Sequence, residues 1–166
     1  QGRCKLVLTM RGNPEAETTL ERVAPELRDG ALELMAAHEL GHCRRYLDGA
    51  WHGLPAGFTP AAEPEGLSPE LRQAYRHMRS TRREEAYGDL VGLAWVEQQR
   101  PQQYRQLHAW LLAERERELL PGSHHDTLAW LRLAAEPAAL RGGMAGSTIF
   151  TAAQPLWQAG LRASED

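Results

Sequence analysis

The stretch Gly30–Leu47, GALELMAAHELGHCRRYL, has the composition of one long helix and contains His38-Glu39-Leu40-Gly41-His42 near its centre. Histidines four residues apart on a helix lie one turn apart on the same face, so both imidazoles can reach one ion. Asp29, just before the stretch, is suited to cap the helix, and the turn-forming Asp48-Gly49 is expected to end it. The sequence therefore predicts a metal site on this helix, with His38 and His42 as ligands.

The spacing of apolar residues indicates which face of this helix should be buried. The apolar stripe expected to face the core comprises Leu32, Ala36, Leu40, Cys43 and Leu47. The two histidines fall beside this stripe, and Glu39 lies next to them, where a carboxylate can touch a metal-bound water without ligating the metal. Gly41 costs roughly 1 kcal/mol in a helix interior, which indicates the close approach of another backbone.

Helical patterns dominate the rest of the chain. Lys5 to Met10 has the pattern of one short strand, and a loop rich in proline and glycine is expected from Gly49 to Ser68. Further helices are predicted over residues 15–28, 69–80, 81–99, 102–120, 123–135 and 152–162. We therefore expect a mostly α (α+β) fold, in which residues 1–166 form one helical domain with one or two short strands near its start.

Length and charge limit the classes of function. The 166 residues suffice for one domain with a real core and are too few to expect two. A formal net charge of −3 gives no electrostatic basis for binding nucleic acid. No stretch approaches the roughly 20 apolar residues that a membrane helix needs. We therefore expect neither a nucleic-acid partner nor a membrane span.

The two cysteines, Cys4 and Cys43, leave the cellular compartment open. A disulfide between them would tie the N-terminal segment to the metal helix and would fit an exported protein, periplasmic or secreted. Alternatively, both are small buried thiols of a cytoplasmic protein, which is the commonest fate of free cysteine. Neither has a partner at CxxC spacing, so a metal site of that type is excluded.

The pentapeptide His38-Glu39-Leu40-Gly41-His42 resembles the HExxH signature of the zincin metallopeptidases, where a Glu-Leu-Gly filling is common. Asp48 stands where the metzincins place a third histidine, and the Gly-Thr-x-x-Asp element of the aspzincins is lacking. The segment Glu85-Ala86-Tyr87-Gly88-Asp89 is instead similar to the Glu-x-x-x-Asp helix of the gluzincins. The resemblance covers these two helices and implies a minimal zincin-like domain that binds Zn²⁺.

The gluzincin resemblance implies Glu85 as the third zinc ligand. Asp89, one turn along, would accept a hydrogen bond from a metal-bound histidine and so orient it. Glu84 is the competing ligand, but it shares its helix face with apolar residues and is expected to pack, so Glu85 is preferred. The alternative for Glu85 is an exposed charge paired with Arg82 or Arg83.

The same resemblance implies the chemistry of a zinc hydrolase, most simply a peptidase acting on a protein or peptide. Glu39 would be the general base toward a zinc-activated water. A histidine often stabilises the oxyanion in gluzincins, which suggests His125 or His124 from the predicted helix start at Ser123; the two can equally be surface residues at a helix cap. Two alternatives stay open: a zincin-like metal-binding domain that regulates or binds a partner without cleavage, and a helical interaction domain with a coincidental motif.

Overall fold

The computed structural model of the protein describes residues 3–7, 12–60, 62–117, 120–141 and 147–163, with only the backbone of residues 15 and 16. Helices dominate these ranges, which confirms the mostly α prediction. They are α1 Pro14–Glu21, α2 Arg28–Leu47, α3 Pro69–Gln99, α4 Tyr104–Arg117, α5 Leu128–Leu133 and α6 Ile149–Ala163. Short 3-10 turns cover Pro25–Leu27, Pro101–Gln103 and Pro137–Leu140.

The described residues contain no β-strand. Of the strand expected from Lys5 to Met10, the first three residues are exposed and have no regular structure, while residues 8–10 lie outside the described ranges. A single strand-forming run needs a neighbouring strand to pair its backbone groups, and none is formed by the described residues. The strand prediction therefore fails where it can be checked.

The long helix α3 was predicted as two helices and is one helix of 31 residues. Ser68 caps it as predicted, because its side chain accepts a hydrogen bond from the backbone nitrogen of Leu71 at 3.3 Å. No glycine or proline falls between Pro69 and Gly88, so nothing in the backbone interrupts the helix at Ser80.

Two other helix starts differ from the prediction. Helix α2 continues directly from the 3-10 turn at Pro25–Leu27 and begins at Arg28, so Asp29 lies inside its first turn and does not cap it. Helix α5 begins at Leu128, and Asp126 accepts a hydrogen bond from the backbone nitrogen of Gly122 at 2.9 Å. Residues 121–125 are therefore turns rather than the first turn of a helix.

The face of α2 that packs on α3 is not the predicted apolar stripe. Leu40 and Leu47 are 41% and 56% exposed. The buried residues of α2 are Gly30, Ala31, Leu34, Ala37, His38, Gly41 and Arg45. Glycine and alanine on this face let α3 come close, and the polar residues among them find partners on α3, which makes their burial possible. The helix thus turns its histidines inward.

Close contact between α2 and α3 is made at their glycines. A Cβ added to Gly41 would lie 3.2 Å from the Cα of Gly88, which confirms the predicted approach of another backbone. The second half of α3 is then enclosed by α2, α4, α5 and α6 in a continuous hydrophobic core. Within it, the indole nitrogen of Trp157 donates to the carbonyl of Arg83 at 2.8 Å, and that of Trp130 donates to the carbonyl of Trp157 at 2.9 Å.

Cys4 and Cys43 form a disulfide that joins the N-terminal segment to α2. Of the two alternatives for the cysteines, the structure therefore shows the pair, which is typical of proteins from oxidising compartments. None of the helices in the described ranges combines enough length and apolarity to cross a lipid bilayer.

Candidate metal centre

Three side chains predicted as metal ligands converge between α2 and α3. His38 and His42 extend from α2, and Glu85 extends from the middle of α3. One ligand atom of each lies within 4.8 Å of the others. The two Nε2 atoms are 2.9 Å apart, and the carboxylate oxygens of Glu85 lie 3.4 Å from Nε2 of His38 and 3.5 Å from Nε2 of His42.

The spacing of these atoms suits a zinc ion. Zinc bonds of about 2.0–2.2 Å at tetrahedral angles place neighbouring ligand atoms about 3.3 Å apart, close to the three distances seen here. Two imidazole nitrogens and one carboxylate also form a common ligand set of catalytic zinc sites, which keep a fourth position open. The three side chains are only 10–17% exposed, so the site is shielded but reachable. The group could therefore hold a metal ion.

Asp89, the residue expected to orient a histidine, lies directly behind His38. Its Oδ1 is 3.0 Å from Nδ1 of His38, so the ring donates from Nδ1 and turns Nε2 toward the other ligands. Arg115 donates two hydrogen bonds to this buried carboxylate, at 3.0 and 2.7 Å, and Thr127 donates another at 2.6 Å. Sequence reasoning missed Arg115 and Thr127, because no local pattern links α4 and the start of α5 to α3.

Burial and the neighbouring charges shift the pKa values of the two histidines in opposite directions. Burial alone would lower the pKa of His38, but the carboxylates of Asp89 and Glu85 outweigh it and raise that pKa to about 9. Burial and the neighbouring charge of His38 lower the pKa of His42 to about 4. Burial would raise the pKa of Asp89, but Arg115 and His38 hold it well below its usual range.

Gly88 makes room for the His38 ring. A Cβ at position 88 would lie 2.8 Å from Cε1 and Nδ1 of that ring and 2.9 Å from Nε2. The small residue of the Glu-x-x-Gly-Asp segment thus leaves room for the ring of His38, which lies close against the α3 backbone. This requirement could be inferred from the sequence only once Glu85 and Asp89 were assigned to the same site.

The predicted catalytic residues differ in their exposure to solvent. Glu39 is exposed on α2, beside His38, and the described residues give its carboxylate no hydrogen-bond or ion-pair partner. His125 is half-buried in the turn before α5, with Nε2 4.0 Å from a carboxylate oxygen of Glu85. His124 is exposed and contacts His125 ring to ring at 4.1 Å. Of the two histidines, His125 is thus the one that faces the cluster.

Glu84, the alternative ligand, is engaged elsewhere and is only 1% exposed. Its carboxylate accepts two hydrogen bonds from Arg45, at 3.0 and 2.9 Å, and one from the backbone nitrogen of His52 at 2.9 Å. Arg45 also donates to the carbonyl of Gly53 at 2.7 Å. We call this buried pair the Arg45–Glu84 clamp, because it holds the loop that follows α2 against α3. The expectation that Glu84 packs is confirmed.

Trp51, on the clamped loop, forms one wall beside the ligands. Its ring lies edge-on to that of His42, with centroids 5.6 Å apart, and is 39% exposed. Chemically, the site combines three convergent side chains that could hold a metal ion with a nearby imidazole in His125, while Glu39 is exposed next to His38 in the chain. The chain matches no model of a known protein family, no curated protein and no solved structure at a significant level.

Proposed function

We propose that the protein is a zinc-dependent hydrolase, specifically a metallopeptidase that cleaves peptide bonds. The observation that carries this proposal is the convergence of His38, His42 and Glu85 at the mutual spacing of zinc ligands. A purely structural zinc site would gain nothing from an accessible carboxylate beside two ligands. Glu39 follows His38 directly in the chain and is exposed, and such a carboxylate favours a hydrolytic centre.

A bound zinc ion would supply a Lewis acid and lower the pKa of a coordinated water to about 7. Glu39, which has no other partner among the described residues, accepts the proton of the attacking water and passes it to the leaving amine. His125, whose Nε2 lies 4.0 Å from a carboxylate oxygen of Glu85, would donate a hydrogen bond to the developing oxyanion.

The remaining residues of the site hold the ligands in place. Asp89 fixes the ring of His38, and Arg115 and Thr127 fix Asp89, so that a chain of hydrogen bonds runs from α5 and α4 to the ligand. Arg115 also lies 3.6 Å from Glu85. Such partners set the orientation and basicity of a ligand, and their loss weakens metal binding.

The proposal is tested by zinc analysis combined with substitution of Glu39. We expect about one equivalent of zinc in the purified parent and in Glu39→Gln, because Glu39 is not a ligand. The parent should cleave peptides of a diverse library, and Glu39→Gln should cleave the same peptides about 10²–10⁴-fold more slowly. Glu116→Gln, the same change on an exposed position of α4, is the matched control and should cleave like the parent.

Three outcomes would change the assignment. A parent protein that binds no zinc would refute the metal centre. Zinc without any cleavage would favour the alternative, a metal-binding domain that regulates or binds a partner. Glu85→Gln should lose most of its zinc, since one of three ligands is weakened, and retention equal to that of the parent would mean that the third ligand lies elsewhere.

A further inference from the structure

A second cavity lies on the far side of Trp51 from the metal ligands. It has a volume of about 630 Å³, is open to solvent, and is lined by residues of the first half of α3 and of the loop between α2 and α3. Trp51 stacks on His52 with ring centroids 5.0 Å apart, and His52 lines the cavity. This space belongs to neither the ligand cluster nor the hydrophobic core.

Positive charge dominates the lining of this cavity. Arg76, Arg79 and Arg83 extend into it from one face of α3, at positions i, i+3 and i+7. Glu63, on the loop, is the one acidic residue among its lining residues in the described ranges and pairs with Arg76. The lining thus contains three arginines and one glutamate, and Arg79 also donates a hydrogen bond to the hydroxyl of Tyr75 at 3.1 Å. Guanidinium groups donate paired hydrogen bonds that match the geometry of a carboxylate.

The loop wall of the cavity is held in an unusual conformation. His52 has a φ of 61°, the one positive φ of a non-glycine residue in the described ranges. Its backbone nitrogen is fixed by Glu84 of the Arg45–Glu84 clamp. Its ring meets that of His77, from α3, at 5.6 Å. Strained backbone of this kind clusters at ligand sites, where the surrounding structure maintains it.

The distance between the cavity lining and the predicted metal ligands can be bounded through Trp51. The two ring contacts, 5.6 Å from His42 to Trp51 and 5.0 Å from Trp51 to His52, place His52 no more than 10.6 Å from His42. An extended peptide advances about 3.3–3.6 Å per residue. His52, which lines the cavity, is thus within about three residues of extended peptide from a peptide bond held at the ligand cluster, and the ring of Trp51 contacts both histidines.

We propose that this cavity binds a carboxylate of the substrate near the cleaved bond, and that Arg79 is a principal donor to it. The proposal rests on the proposed peptidase function, which supplies a peptide as the ligand. The carboxylate can belong to an acidic side chain or to the C-terminus of the peptide, since both present the same two oxygens. The site would then select acidic or short peptides.

Paired peptide substrates test the proposal on the zinc-loaded protein. One series exchanges Glu for Gln at each of three positions on either side of the cleaved bond, and a second compares free with amidated C-termini. We expect one exchange to lower kcat/KM about tenfold or more, the effect of losing hydrogen bonds to a charged group. The series in which the loss occurs identifies the source of the carboxylate. Arg79→Gln should reduce this preference to about twofold.

Binding is measured separately from cleavage. N-acetylglutamate N-methylamide and its glutamine analogue are titrated while the side-chain NMR signals of Arg79 and His52 are followed. The acid should bind about tenfold tighter than the amide, and Arg79→Gln should abolish the difference. Arg76→Gln, at an exposed position, serves as a second variant should Arg79→Gln unfold. Arg105→Gln, an exposed arginine of α4, is the charge-matched control and should behave like the parent.

The two readouts separate failure of this proposal from failure of the proposed function. Peptide cleavage with equal kcat/KM for acid and amide, and no binding preference, would overturn the carboxylate site and leave the peptidase intact. Preferential binding of the acid without cleavage of any peptide would support the anion site and refute the peptidase. A third outcome is that Arg105→Gln removes the preference for acid over amide as completely as Arg79→Gln does. That result would show that net charge causes the preference, and it would overturn the cavity as the binding site.

Discussion

Gly88 is the position where a single added methyl group should disturb the metal ligands most directly. In Gly88→Ala, the new Cβ would lie 2.8 Å from two atoms of the His38 ring and 2.9 Å from a third. Ordinary carbon contacts are about 3.5–4.0 Å long, so the ring has to move by roughly 0.7 Å or more. His38 is held from behind by Asp89 at 3.0 Å, which prevents a small rotation from relieving the contact.

The size of the effect follows from how tightly zinc distances are defined. Ligand distances vary by about 0.2 Å among working sites, so a displacement of roughly 0.7 Å removes His38 from productive ligation. We expect zinc affinity to fall at least about 10–100-fold, the range found when only the orientation of a ligand is disturbed. Alanine gains about 1 kcal/mol of helix propensity over glycine, whereas overpacking costs about 1–3 kcal/mol. The metal-free variant should therefore lose about 0–2 kcal/mol of stability.

Competition with a chromophoric chelator measures the zinc affinity, and urea unfolding measures the stability. Gly92→Ala is the matched control, because its Cβ would lie 2.8 Å from the carbonyl oxygen of Leu34, one turn farther along α3 and away from the ligands. It should lose stability and keep the zinc affinity of the parent. The reasoning is refuted if Gly88→Ala binds zinc like the parent, or if the two variants lose affinity equally.

Three further predictions concern the partners that surround the site. Arg45→Met leaves Glu84 as a buried charge without its guanidinium and should lower the free energy of unfolding in urea by about 3–5 kcal/mol; an unchanged midpoint would contradict the clamp. Asp89→Asn should weaken zinc binding about 10–100-fold in the chelator assay, and parent-like affinity would show that the orientation of the histidine is set elsewhere. The disulfide between Cys4 and Cys43 closes a loop with a sequence separation of 39, so replacing both cysteines by serine should destabilise the protein by about 4 kcal/mol. Urea unfolding of this variant and of the reduced parent should give the same loss of stability.

Much of the ligand cluster could be predicted because it is encoded locally. The spacing of His38 and His42 follows from the helical repeat, and the placement of Glu85 with Asp89 follows from the same repeat on a second helix. That these two helices meet could be argued only from the resemblance of the paired segments. Gly41 was the one residue whose chemistry indicated the contact from the sequence alone.

The contacts between distant segments could not be predicted. The apolar stripe containing Leu40 indicated the wrong buried face of α2, because the true interface uses small residues and polar pairs that a periodicity argument counts as exposed. Arg45 and Arg115 resemble ordinary charges of a solvated helix face, yet each neutralises a buried carboxylate on α3. Their burial depends on the register between helices, which a single sequence does not contain.

The contact of Gly41 with Gly88 has a consequence for how the protein would bind a metal ion. Because two backbones come close there without intervening side chains, packing helps to hold α2 and α3 at one separation, together with the Arg45–Glu84 clamp. The conformational entropy of ordering the three side chains is then lost when the protein folds. A metal ion would therefore bind to a site that is already formed. A chelator should accordingly strip the ion and leave a folded protein, and returning zinc should restore the site within the time of mixing.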